Sequence, residues 1–201
     1  MASLIYKMIQ HIDIAFLNNN IPNLLFYIIY NTYTTYLFWT NTYYQQEFLI
    51  TSAVGIYESL NVVYEFRNKN VKWEMVAHHV LTSGNSFLLL YYYTTYPAII
   101  RDIMYCQTLI MSSTFYLNIR HLFPHMWLPR LVFFASFFYY RFYLTYPCIY
   151  KGIIRVYNTY NTYGKVLLII HVNAALLYCF SIYWGCLILR IAYKALFTIK
   201  V

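Results

Sequence analysis

Long apolar blocks alternate with short polar breaks along this chain. Six blocks are long enough to span a bilayer, which takes about 20 mostly apolar residues. They cover roughly residues 22–40, 48–66, 74–96, 98–118, 129–150 and 165–192. The breaks between them are short, so the pattern predicts an all-α integral membrane protein. Its expected plan is a short cytosolic or interfacial N-terminus (1–21), one six-span domain (22–196) and a C-terminal tail (197–201). Two low-complexity segments, "NTYTTYLFWTNTYY" and "YNTYNTYGK", read as interfacial because Tyr favours the headgroup level.

Composition strengthens the membrane reading. The 201 residues are 61% hydrophobic and 10% charged, with a mean hydropathy of +0.47. A soluble domain carries about 25% charged residues. The net charge of +8 does not point to nucleic acid, because the 14 Lys and Arg are scattered without a basic run. Scattered loop cations set topology instead. With both termini cytosolic, that side holds nine: Lys7, Arg67, Lys69, Lys72, Arg120, Arg130, Arg190, Lys194 and Lys200. The opposite side holds four: Arg101, Lys151, Arg155 and Lys165. The excess predicts both ends inside the cytosol.

The first 20 residues include Lys7, His11, Asp13 and "NNN", so no cleavable signal is expected and the first true span starts insertion. Cys106, Cys148, Cys179 and Cys186 lie in apolar segments without a CxxC pair, as small core residues do. No HExxH and no third ligand at regular spacing appear, so no metal is expected.

Several polar residues interrupt the spans. Glu58 sits near the middle of the second and Arg141 near the middle of the fifth. His78 and His79 lie about one turn inside the third, and His171 and Asn173 lie in the sixth. A charge in hydrocarbon is costly, so such residues face a bundle interior or a wet cavity. For Glu58 and Arg141 two readings stay open. They pair with each other, or Arg141 holds an anionic lipid group.

In the third span Glu74, His78, Thr82 and Asn85 form one helical stripe, with His79, Ser83 and Ser86 beside it. The two histidines stand about 100° apart. Both can edge one cavity, or one can hydrogen-bond a neighbouring helix. The fourth span carries its own stripe, Gln107, Met111, Thr114 and Asn118. A hairpin near Pro97 would bring Thr114 and Asn118 to about histidine depth. Asp102 would then lie about 21 Å away along the helix, out of reach of either histidine.

The chain resembles the TLC domain family, shared by the translocating-chain-associating membrane protein, the ceramide synthases and small lipid-regulating membrane proteins. "WEMVAHHVLT" is similar to the family's His-His segment. "STFYLNIRHLF" is similar to its Ser-Thr…Leu-Asn-x-Arg ending. "GIYESL" matches a Gly…Tyr-Asp-Leu segment with Glu58 in the Asp place. "YYRFYLTYP" matches a Phe-x-x-Arg segment at Arg141, and "IYWGCLILRIAYK" its last helix. The five occur in the family's order across most of the chain.

The resemblance implies a six-helix bundle around a lipid-sized cavity lined by Glu58, Glu74, Thr82, Asn85, Met111, Thr114, Asn118 and Arg141. It implies a role in binding a sphingolipid or phospholipid and tuning membrane composition, in the endoplasmic reticulum. Membrane lipids are the expected partners, with self-association left open.

Two alternatives come from the same family. One is a membrane cargo receptor or chaperone. The other is an N-acyltransferase in which His78 and His79 serve as base or acyl acceptor while a sphingoid amine attacks an acyl-CoA. No cofactor beyond acyl-CoA as co-substrate is implied. The acidic His-Asp-x-x-Asp segment of ceramide synthases is missing, however. "MYCQTLIMSS" is neutral there, and Met111 stands where many small members carry Glu. Glu74, one turn before His78, is the remaining local acid.

Overall fold

We describe residues 14–67 and 71–197 of a computed structural model of the chain. They form helices α1 (Ile14–Trp39), α2 (Tyr43–Arg67), α3 (Trp73–Tyr92), α4 (Pro97–Leu122), α5 (Trp127–Phe138) and α6 (Tyr146–Phe197). A π-helical turn, Tyr139–Leu144, joins the last two. There is no strand among the described residues, so the all-helical expectation holds. Lys69, residues 1–13 and residues 198–201 lie outside the described residues.

Proline placement draws most boundaries. A proline lacks the N–H that a helix interior needs but fits its first turn. Pro97 opens α4, Pro129 sits in the first turn of α5 and Pro147 in the first turn of α6. Pro22 alone is interior, in α1. The first helix therefore begins eight residues before the expected 22, and "NNN" at 18–20 is helical. α1 ends where Asn41 takes a left-handed φ of 56°. The Thr42 N–H reaches the Leu37 carbonyl at 2.9 Å and that of Asn41 reaches Phe38 at 3.2 Å. This is the Schellman pattern, and Asn is the commonest non-glycine residue to support it.

The last helix departs from expectation. The 52 residues from Tyr146 to Phe197 are helical, including the polar break placed at 151–164. A straight helix of that length would measure about 78 Å. Yet a Cβ on Gly152 would lie 3.6 Å from the His171 ring, where 19 residues of straight helix would separate them by about 28 Å. α6 therefore folds back on itself between these positions, leaving an early arm and a late arm.

The chain divides into two compact units. One comprises Tyr43 and the residues before it with Gln107–Tyr146; the other comprises Tyr44–Cys106 with Pro147 onward. The second unit centres on Leu89, Ile100, Met104 and Ile170, each fully buried. In the first, Tyr27, Tyr30, Leu37, Phe133 and Phe137 are buried. There the Tyr43 hydroxyl bonds that of Thr108 at 2.8 Å.

Polarity is inverted relative to a water-soluble protein. Of the buried residues described, 17 are hydrophobic and 17 polar or charged, whereas Glu, Asn and Arg are mostly exposed in soluble domains. Large apolar side chains face outward instead, among them Ile29 on α1, Leu60 on α2, Leu131 on α5 and Ile191 on α6. Of the six expected spans, one, Leu168–Lys194, is both long and apolar enough to cross a membrane among the described residues, with a mean hydropathy of 1.8. Only 17% of its most apolar window is buried, which is not the profile of a soluble core helix.

Candidate functional site

The sequence-expected site residues fall in both units. Glu58, Glu74, His78, His79, Thr82 and Asn85 belong to the second; Met111, Thr114, Asn118 and Arg141 belong to the first.

In the second unit α2 buries a stripe of Glu47, Thr51, Val54 and Glu58, at i, i+4, i+7 and i+11. Glu58, 1% exposed, shares a short hydrogen bond with His79 Nδ1. In the form with an ionised carboxylate, which only accepts, the proton on this bond sits on Nδ1, and Nε2 of a neutral ring then carries the lone pair. The acid that sequence reasoning sought at Met111, Glu74 or Asp102 is thus Glu58. Glu58 and Arg141 each have partners within their own unit.

Small residues make this contact possible. Ser59 and Ser83 join hydroxyls at 2.6 Å across α2 and α3. Both hydroxyls also lie within hydrogen-bond reach of the Gly55 carbonyl, at 2.8 and 3.3 Å, so that one can donate to it while the other donates to its partner hydroxyl. A Cβ on Gly55 would stand 3.1 Å from Ser86 Cβ. Gly55 and Ser59, four apart, form the small-xxx-small face that lets two helix backbones approach.

His78, one residue on, faces elsewhere. Its ring meets Trp184 edge-on at 4.8 Å and Phe180 at 5.9 Å, both on the late arm of α6. The two histidines therefore follow the second sequence reading, in which one bonds a neighbouring helix. Thr82 is buried and turns its hydroxyl to the His78 carbonyl at 2.8 Å. Asn85 is buried too. Asn173 reaches the Leu81 carbonyl at 3.4 Å. Glu74 is a correction. It lies exposed in the first turn of α3, where a carboxylate complements the helix dipole rather than lining an interior.

At the other end of the α2 stripe lies a group that sequence reasoning missed. Glu47 is fully buried; its Oε1 receives Tyr93 OH at 2.6 Å and Arg101 Nε at 2.7 Å. Its Oε2 is buried without a partner among the described residues. The stripe spacing that marks α3 and α4 runs equally through α2 and was the available signal. Asp102 pairs with Arg155 at 2.8 Å, with both side chains part-exposed.

In the first unit Arg141 lies in the π-helical turn and is buried. Its Nε donates to Ser113 Oγ at 2.6 Å, its Nη2 to Thr114 Oγ1 at 3.4 Å, and its guanidinium stacks on Phe137 at 4.9 Å. π-helical turns are rare and recur at functional sites. Met111 is buried, and Asn118 donates to the Thr114 carbonyl at 3.0 Å. Below them Arg120 lies over Phe133 at 5.8 Å. Burial, and secondarily the nearby Arg130, lowers the Arg120 guanidinium below its ordinary range. No group of three or more metal-ligating side chains exists among the described residues.

Compared with known protein families, curated proteins and solved structures, the chain matches none of them. Fold and site define a class: an all-helical protein with many large apolar side chains exposed, half of its described buried side chains polar, and a buried carboxyl–imidazole pair.

Proposed function

We propose that this chain is a six-span membrane protein of the TLC domain kind, which holds a membrane lipid and tunes membrane composition. The single observation that carries the membrane part is the inverted polarity. Hydrocarbon, not water, is the solvent in which outward Leu and Ile with inward Glu, Asn and Arg are favourable. The lengths agree. α1, α2, α3 and α4 have 26, 25, 20 and 26 residues, and about 20 suffice. α5 with the π turn and the early arm of α6 supplies a fifth crossing, and Leu168–Lys194 the sixth. The lipid part rests on the family resemblance together with the buried guanidinium of Arg141, a bidentate donor suited to phosphate or carboxylate.

Alkaline carbonate extraction and glycosylation mapping test the membrane part. The full chain should stay in the membrane pellet. Acceptor sites on flexible inserts should be modified after residues 41 and 94 and remain bare after 69 and 124. Release into the soluble fraction, or the opposite pattern, overturns it. Native mass spectrometry in mild detergent tests the lipid part: co-purified lipid is expected, reduced in Arg141→Ala.

The Glu58–His79 pair favours a second reading, acyl transfer from acyl-CoA to a sphingoid amine. His79 Nε2 would take the amine proton as nitrogen attacks the thioester carbonyl and the CoA thiolate leaves, with Glu58 holding the tautomer. Product formation should vanish in His79→Ala and fall about 10²–10⁴-fold in Glu58→Gln. No product from the intact protein across several acyl lengths sinks this reading.

A further inference from the structure

Two of the four cysteines meet. The thiols of Cys106 on α4 and Cys148 on the early arm of α6 lie close enough to influence each other, while both remain free. Neither is fully buried. An independent contact places the same two helices side by side. Asp102, one turn before Cys106, pairs with Arg155, two turns after Cys148. The helices therefore run antiparallel here, and the thiols lie one turn inside the ion pair. All four residues belong to one compact unit. Cys179 and Cys186 are exposed on the late arm of α6, seven residues apart, too far along a helix to join each other.

We propose that Cys106 and Cys148 form a disulfide that clamps α4 to α6. A disulfide needs its sulfurs about 2.05 Å apart with the Cβ atoms facing, and the Asp102–Arg155 contact holds the two helices side by side next to these thiols. The oxidant is a disulfide. One cysteine thiolate attacks a sulfur of the oxidant, forming a mixed disulfide and releasing one thiolate. The second cysteine thiolate then attacks the mixed disulfide at the protein sulfur and releases the other. Two protein thiols lose two electrons and two protons, and one external disulfide becomes two thiols. On the topology proposed above, which this step rests on for its setting, the pair lies toward the non-cytosolic side, where disulfides persist.

Thiol counting under denaturing conditions tests the proposal. Full-length protein is denatured straight from membranes into maleimide-polyethylene glycol, with and without prior reduction. Two adducts before reduction and four after are expected. Cys106→Ser and Cys148→Ser should each give three adducts either way, and peptide mapping should find the 106–148 link. Four adducts before reduction call for a second step, in which the reduced, folded protein in detergent is treated with 4,4′-dithiodipyridine. A mapped 106–148 bond, with pyridyl adducts retained at Cys179 and Cys186 alone, supports the clamp and counts against the proposed topology. Retained pyridyl adducts at Cys106 and Cys148, or a bond mapped elsewhere, overturn the clamp.

Discussion

His79 Nδ1 on α3 and the Glu58 carboxyl on α2 are joined by a hydrogen bond, and both side chains are buried. The two partners are unequal in what their loss leaves behind. His79→Leu strands a carboxylate in an apolar interior, which costs on the order of 3–5 kcal/mol. Glu58→Leu strands a neutral imidazole N–H, about 1–3 kcal/mol. The His79→Leu protein should therefore unfold first in detergent, and the double variant should be more stable than His79→Leu alone. Thermal unfolding of the four proteins gives the cycle; additive losses would mean the pair is not coupled.

Gly55 and Gly84 lie on facing helices but in different surroundings. A Cβ at Gly55 would meet Ser86 Cβ at 3.1 Å and the Phe87 ring at 3.5 Å, while one at Gly84 would meet nothing within 4 Å. In a helix interior Ala is favoured over Gly by about 0.8–1 kcal/mol. Gly84→Ala should realise that gain and raise the unfolding midpoint. Gly55→Ala should lose it to the forced separation of α2 and α3, and Gly55→Leu should weaken the Glu58–His79 contact as well. Equal shifts for the two alanine variants would rule out a close approach at Gly55.

The periodicity of the sequence gave away the helices, because apolar blocks broken by few prolines leave the backbone little else to form. It gave away the polar stripe of α3 for the same reason: a spacing of three and four is visible without a partner. Partners are another matter. Glu58 and His79 are 21 residues apart and meet only because Gly55 and Ser83 let two helices close, and nothing in either local window states that. Glu47 was overlooked because it stands at the polar start of its block, where a carboxylate reads as interfacial. The fold-back of α6 was expected as a loop near 151–164. The backbone there is helical up to the reversal and beyond it, so composition marked the place and not the conformation.

Asp102 and Arg155 pair at 2.8 Å with side chains 40% and 31% exposed. Such a pair is solvated and screened, worth roughly 0.2–1 kcal/mol. A double-mutant cycle with Asp102→Asn and Arg155→Gln should return a coupling in that range at low salt. Raising ionic strength from 0.01 M to 1 M shortens the Debye length from about 30 Å to about 3 Å and should shrink it. A coupling that resists salt would indicate a pair buried from solvent.

Glu47 and Arg101 pair with the opposite imbalance. The carboxylate is 1% exposed and the guanidinium side chain 45%. Replacing the buried partner should therefore be the milder change. Glu47→Leu removes a charge with one oxygen already unpartnered and leaves Arg101 free to hydrate. Arg101→Ala leaves the carboxylate buried with only the Tyr93 hydroxyl on Oε1. Tyr93→Phe removes that hydroxyl while keeping the charge pair, and should cost about 1–2 kcal/mol. The expected order of unfolding midpoints is Glu47→Leu above Tyr93→Phe above Arg101→Ala. Combining Arg101→Ala with Glu47→Leu should restore most of the loss, because the stranded charge is gone. If Glu47→Leu is instead the most damaging of the three, the carboxylate holds more than these two partners, and its second oxygen is the place to look.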